Sequence, residues 1–295
     1  YSFKKNFKSN LKYNFNMSKS TWFQTGGKSF AYCLVNSYDD LRLILIQTPN
    51  EMPIFLLGAG SNVLIRDGGF KGIIIKLGKE FNKIKLENDK IVAGASALDI
   101  MLSQFAAKNS IKGFEFLSGI PGTVGGAIKM NAGCYGSETK EIIDRVQIID
   151  RFGEESFLTN KNLDFKYRRS AIHNNIFVKK AFFKAEIGDT EEILSNRNEI
   201  LKKRKESQPL QVKTGGSTFK NPNNQFAAKL IEKAGCKGME VGDAIVSTKH
   251  ANFLINQNNA SAEDIENLGE KIREKVFNQF NIMLEWEIKI IGDKL

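Results

Sequence analysis

Ser217 lies in the stretch Lys213-Thr-Gly-Gly-Ser-Thr-Phe-Lys-Asn-Pro222, behind two glycines and just ahead of Lys220 and Asn221. A nucleophilic serine needs a neighbouring base, and the chain holds only His173 and His250. The ordinary reading of such a serine is a turn or helix-capping residue. The other chemistry open to it is proton donation to a strong base, which needs no acid tuned near neutrality. On spacing alone the turn serine is preferred.

Two glycine-dense segments could hold a charged ligand. Gly58, Ala59, Gly60, Ser61 and Asn62 sit between two strand-length apolar runs. Gly119, Pro121, Gly122, Thr123, Gly125, Gly126, Asn131 and Gly133 crowd a second segment. Such loops can turn successive backbone N–H groups toward one point and cradle a phosphate. They can equally be tight turns forced by strand packing, but two together favour a pyrophosphate-bearing ligand. Neither is a dinucleotide fingerprint, because Val63 stands where a third glycine would fall, and no GxxxxGK[ST] occurs.

Two charged patterns add candidates. In "FKYRRS", read as part of a strand, Arg168 and Arg169 point to opposite faces, so one of them can serve a site. In the closing "LEWEIKII", Leu284, Trp286, Ile288 and Ile290 face one way, and Glu285, Glu287 and Lys289 the other. A glutamate on such a polar face is ordinarily just solvated.

The elements that must position these residues read as α+β. "SYDDLRLILIQ" is a helix with acidic residues in its first turn. "PIFLLG", "GFKGIIIKL", "KIVAGAS", "VQIIDRFG", "LDFKYRRS" and "FVKKAFFKAEI" read as strands. "ALDIMLSQFAAKNS" places Leu98, Met101, Leu102, Phe105 and Ala106 on one helical face. A charged helix, "TEEILSNRNEILKKRKESQ", leads to the last third. There a Ser261–Asp264 capping pattern precedes the apolar stripe Ile265, Leu268, Ile272 and Val276. The segment from Gly119 to Gly136 fits neither the helical nor the strand period.

At 295 residues, with 41% hydrophobic and 26% charged residues, the chain has the composition of a globular protein of two or three lobes. No apolar run approaches the roughly 20 residues of a bilayer span, and no signal peptide is evident. Cys33, Cys134 and Cys236 are scattered, which argues against structural zinc and for a reducing, cytoplasmic compartment. Of the net charge of +10, six lysines fall in the first 28 residues, and the remainder holds 37 basic against 33 acidic residues. That distribution describes a basic N-terminal tail rather than a nucleic-acid-binding face, and the modest excess in the body suits anionic substrates.

Taken in order, "GAGSNVL", "GIPGTVGGAIKMNAGCYG", "FKYRRS", "QPL" followed by "GGSTFKNP", "VSTKHANF" and "LEWEIKIIG" resemble the UDP-N-acetylenolpyruvoylglucosamine reductase family, over about Thr21 to Gly292. The resemblance implies two FAD-binding subdomains of the vanillyl-alcohol-oxidase type and a substrate-binding domain. With a flexible tail read from composition at 1–20 and a boundary near residue 190 read along the chain, the subdomains fall at 21–78 and 79–189 and the third domain at 190–295. The resemblance also implies NADPH as reductant and reduction of an enolpyruvyl ether of UDP-N-acetylglucosamine to the lactyl ether. By family motif, Arg168, Ser217 and Glu287 are the catalytic residues, with Ser217 the proton donor to a carbanion-like centre. Such a glutamate has to be protonated or bonded through water beside a forming enolate. The two glycine segments hold FAD, and Tyr167, Arg204, Lys220, Asn221 and His250 are substrate contacts. The compact length matches the family's shorter form. A monomer without metal, membrane or nucleic-acid partners is expected. The competing readings are another flavoenzyme of this fold and a binding module built on the basic tail.

Overall fold

The computed structural model describes residues 9–295. The first eight residues of the expected tail lie outside that range. The rest of it is shorter than expected: Leu11–Asn16 forms a strand and Met17 is fully buried, because the apolar residues between the lysines find partners. The chain divides into two compact units. One takes residues through Lys12, then Ala31–Ala59 and Gly72–Arg204; the other takes Tyr13–Phe30, Gly60–Lys71 and Lys205–Leu295.

The first unit is built on a five-stranded antiparallel sheet, in the order Glu155–Thr159, Ile143–Asp150, Ile176–Lys184, Lys90–Gly94, Ile84–Glu87. Its strands read as alternating or continuous apolar runs, as buried sheets require. Ile54–Leu56 pairs in parallel with Ile73–Ile75. Helix Tyr38–Gln47 starts where Ser37 Oγ accepts the Asp40 N–H, with Asp39 and Asp40 complementing the helix dipole. Leu41, Ile44, Leu102, Phe114, Ile148 and Phe183 pack into one core.

Helix Asp99–Lys108 is rotated from the expected face. Asp99, Leu102, Ser103, Ala106 and Ala107 are buried, whereas Leu98 and Met101 are exposed. Leu98 is an extended cap residue that bridges to Thr123, so it does not belong to the helical stripe. The aperiodic glycine segment contains helix Val124–Met130, which periodicity could not show because two turns with only Val124, Ala127 and Ile128 buried are too short to display a stripe. "LDFKYRRS" is not a strand. Asp164 and Arg168 both take left-handed backbone, at φ of 40° and 54°, and break the extended run into a tight turn.

The second unit carries a four-stranded antiparallel sheet, in the order Lys213–Ser217, Phe253–Asn256, Ala244–Val246, Glu240–Val241. Helix Ala262–Phe280 packs Ile265, Leu268, Ile272 and Val276 against it. The predicted Ser261–Asp264 capping box is present, and Asp67 accepts the Ala262 and Glu263 N–H groups as well. Arg66 forms a two-pronged ion pair with Glu266 in the first half of that helix, at 2.8 and 2.9 Å. The closing segment keeps its predicted alternation, with Leu284 and Ile288 buried, although only Lys289–Ile291 forms a strand, parallel to Val63–Ile65.

Candidate functional site

In the first unit the two glycine segments meet. Gly58 follows strand Ile54–Leu56, and a Cβ built there would stand 2.6 Å from Thr123 Oγ1. Thr123 is the extended residue before helix Val124–Met130, and Gly125 and Gly126 form that helix's first turn. Gly58, Ser96, Thr123, Gly126 and Lys129 line a cleft open to solvent, with Phe177 among its apolar walls. At Gly126 a Cβ would meet only Thr123 Oγ1, at 3.5 Å, so a side chain there would project into free space. Backbone is thus laid bare where a ligand can approach it. Ala59, Gly119, Pro121, Gly122, Asn131 and Gly133 belong to the same unit, but none of them lines this cleft.

Behind the second segment lies a residue that pattern reading missed. Asp99 is fully buried and neither carboxylate oxygen has a hydrogen-bond partner. Its Oδ2 stands 2.6 Å from where a Cβ of Gly122 would be, so only glycine fits opposite it. Burial pushes the Asp99 carboxyl well above the usual carboxylate range, favouring its neutral form. The available signal was its place in the row 99, 102, 103, 106, where a helix of this kind calls for an apolar residue.

Tyr167 and Arg168 form the tip of a turn closed by Lys166 N–H to Arg169 O at 2.9 Å and Arg169 N–H to Lys166 O at 3.1 Å. Arg168 lies over the Tyr167 ring, 5.0 Å from its centre, and donates from Nη2 to Gly133 O at 2.9 Å. Burial pushes the Cys134 thiol up to about 12; Arg168 and Arg204 oppose that shift, and Asp99 adds to it. Half-buried Arg204 is lowered by the same loss of solvent, offset by Tyr135 and Cys134. Arg168, Arg204 and Cys134 therefore share one electrostatic neighbourhood. The Asn131 amide is engaged within the protein by Glu138, Lys140 and Lys166.

In the second unit Ser217 ends a strand rather than sitting in a turn. The register breaks between Thr214 and Ser217, where Gly216 takes a φ of +76°. The glycine pair thus makes an irregularity that re-aims the serine. The next residues run beside the closing segment: Glu287 N–H donates to Thr218 O at 2.8 Å, and Lys220 N–H to Glu285 O at 2.9 Å. Ser217 and Glu287 are half-buried on these adjacent segments. Asn62 holds the second of them, its Nδ2 donating to Glu287 O at 3.1 Å and its carbonyl accepting the Lys289 N–H at 3.0 Å. A Cβ on Gly216 would approach only Ser61 O, at 3.9 Å, so Ser61 borders the same spot.

The remaining candidates are differently engaged. Lys220 pairs with Glu285 at 3.1 Å, and Asn221 Oδ1 accepts the Ala227 N–H at a helix start. The His250 ring packs edge-on against Phe253, and its Nδ1 is buried without a partner. Burial pushes His250 below its ordinary value.

Residues 208–291 match the model of the UDP-N-acetylenolpyruvoylglucosamine reductase C-terminal domain, and residues 31–156 match that of an FAD binding domain. The reductase of that name from Rickettsia massiliae is 44% identical over 285 residues, 97% of each chain. That of Rickettsia prowazekii is equally similar. The chain belongs to the UDP-N-acetylenolpyruvoylglucosamine reductase family. The crystal structure of the Thermus caldophilus reductase superimposes with a TM-score of 0.85 at 32% identity, over 97% of this chain and 99% of that one. A 6-hydroxy-D-nicotine oxidase from Arthrobacter nicotinovorans, 11% identical, shares the fold alone, with a TM-score of 0.56. The chain is α+β, and residues 31–156 carry the FAD binding domain of a reductase in this family. Among the described residues no helix is long and apolar enough to cross a membrane. Nor do the described residues offer a metal-binding group of three or more His, Cys, Asp or Glu.

Proposed function

We propose that the protein is an FAD-dependent reductase that uses NADPH to convert UDP-N-acetylenolpyruvoylglucosamine to UDP-N-acetylmuramate, a step of peptidoglycan precursor synthesis. The observation that carries this reading is family membership across nearly the full length of both chains. The residues present fit the cofactor: Gly58, Thr123, Gly125, Gly126 and the Lys129 ammonium border a cleft where backbone is exposed. Gly60, Ser61 and Asn62 are assigned to FAD with them. When bound, FAD supplies hydride transfer from NADPH to the terminal carbon of the enol ether.

That addition leaves negative charge on the adjacent carbon and its carboxylate. Arg168 offers a planar, permanently charged fork to a carboxylate, a contact worth more as charge develops. Ser217 gives its hydroxyl proton to the carbanion-like carbon, and Glu287 stabilises the enolate through a hydrogen bond. The side-by-side course of Thr218–Lys220 and Glu285–Glu287 supports assigning the last two to one step. Tyr167, Arg204, Lys220, Asn221 and His250 are assigned to the nucleotide substrate. Lys220 would leave Glu285 to meet a pyrophosphate, since an exposed ion pair is worth little. Two FAD-binding subdomains at 21–78 and 79–189 and a substrate-binding domain at 190–295 complete the reading, in a cytoplasmic monomer that binds neither membrane nor nucleic acid.

An anaerobic visible spectrum tests it. The flavin band of the purified protein should bleach with NADPH and return with the enolpyruvyl nucleotide. A band that bleaches but never returns would keep the flavin protein and discard the substrate. Absence of a band after FAD is added would discard both. Deleting residues 1–20 separates the enzyme from a tail-dependent binding module, because only the latter would lose its ligand.

A further inference from the structure

Asn131 is a fully buried side chain whose hydrogen-bonding capacity is spent within the protein. Nδ2 donates to Glu138 Oε2 at 2.9 Å and to the Lys166 carbonyl at 3.2 Å, while Oδ1 accepts the Lys140 N–H at 3.0 Å. Glu138 is itself held by an ion pair with Lys140. Asn131 ends helix Val124–Met130 in left-handed backbone, at φ of 43°, a conformation asparagine tolerates better than most residues.

The carbonyl it grips belongs to the first residue of the tight turn Lys166–Arg169. Arg168 sits inside that turn at φ of 54°, where a residue with a long side chain is strained. Such strain persists only where the surroundings over-determine it, and it gathers at working sites. Three side-chain hydrogen bonds supply the restraint: Asn131 to Lys166 O, Arg168 Nη2 to Gly133 O at 2.9 Å, and Ser170 Oγ to Lys129 O at 3.0 Å. All three join residues 166–170 to residues 129–133, the stretch that leaves the glycine-rich helix. The Asn131 bond is the one made on the main chain of the turn itself by a buried side chain.

We propose that Asn131 is a positioning residue that fixes the Tyr167–Arg168 turn, and so the direction of the Arg168 guanidinium, relative to the glycine-rich segment. The proposal rests on the reading of Arg168 as the group that meets the substrate's charge. Asn131→Asp is the discriminating variant. It keeps the Oδ1 acceptor and the backbone preference, but it turns a second acceptor toward the Lys166 carbonyl and the Glu138 carboxylate.

In the FAD-loaded enzyme, Asn131→Asp should bleach with NADPH at nearly the wild-type rate. Return of the flavin band with the enolpyruvyl nucleotide should slow by about 10- to 100-fold, the order expected for a catalytic group displaced by an ångström. Asn131→Asp combined with Arg168→Ala should be no slower than Arg168→Ala alone. Trypsin should cut after Lys166, Arg168 or Arg169 faster than in wild type, a readout independent of turnover. Ser170→Ala, which removes another of the three bonds and leaves Asn131 intact, should show the same half-reaction split more weakly, and it stands in if Asn131→Asp fails to fold. The positioning role is overturned if Arg168→Ala slows the return while Asn131→Asp does not, if both half-reactions slow equally, if the double variant is slower still, or if cleavage of the turn is unchanged. If Arg168→Ala itself leaves the return untouched, the role assigned to Arg168 falls, and this proposal with it.

Discussion

Gly58→Ala should strain the first unit at one identifiable pair of atoms. Its backbone imposes no penalty, because Gly58 is not in the left-handed region. The new methyl would stand 2.6 Å from Thr123 Oγ1, about 0.8 Å inside the 3.4 Å at which ordinary contact begins. Overpacking of this kind costs about 1–3 kcal/mol. Thr123→Ala removes Oγ1 and Cγ2 and leaves Thr123 Cβ at 3.7 Å, an unstrained distance. The double variant should therefore recover most of the loss, with a coupling energy of about 1–2 kcal/mol, within the range found for residues in direct contact. Urea denaturation of the four flavin-free proteins measures it. Loss in the two single variants that adds to within about 0.5 kcal/mol would refute the direct contact, and with it the claim that the two glycine segments form one cradle.

Ser217→Ala should leave flavin bleaching by NADPH nearly intact and slow its return with the enolpyruvyl nucleotide by at least about 100-fold, the usual reach of a general acid; equal slowing of both phases would remove the proton-donor role. Asp99→Asn should gain stability relative to wild type as pH rises. The neutral acid is favoured in the folded protein, so its contribution is complete below the unfolded value of about 3.9 and is lost as pH climbs toward the raised folded value, at up to about 1.4 kcal/mol per pH unit. Thermal melts at pH 4 and pH 8 check this, and a difference that does not change with pH would mean the carboxyl is solvated. Glu266→Gln should cost about 1–2 kcal/mol at pH 7, because it removes the charge from a two-pronged contact with Arg66. Arg66 holds the Glu266 carboxyl below its ordinary value, so this contribution is present above about pH 4.3 and fades as pH falls through the folded value; urea titrations at pH 7 and pH 3.5 should show the gap closing.

Much of the architecture was legible along the chain because the signals are local. The Ser261–Asp264 cap, the stripe Ile265–Val276, the acidic start of helix Tyr38–Gln47 and the alternation of Leu284 to Ile290 each rest on residues within about three turns or one strand of one another. The glycine clusters and the order of the motifs marked the cofactor segments and the family. What local pattern could not show was conformation imposed from a distance. The stretch around Arg168 reads as a strand, yet it folds into a turn held by Asn131, 35 residues away from Lys166 in the chain. Ser217 reads as a turn serine, yet strand pairing with Phe253 and the crossing of Thr218 by Glu287 fix it. Asp99 carries no mark in the local pattern, yet packing against Gly122 removes it from water and raises its carboxyl above the usual range. In each case residue type set what the side chain could do, and neighbours remote in sequence decided its backbone angle, its solvent and its charge, because burial and hydrogen bonding depend on proximity in space.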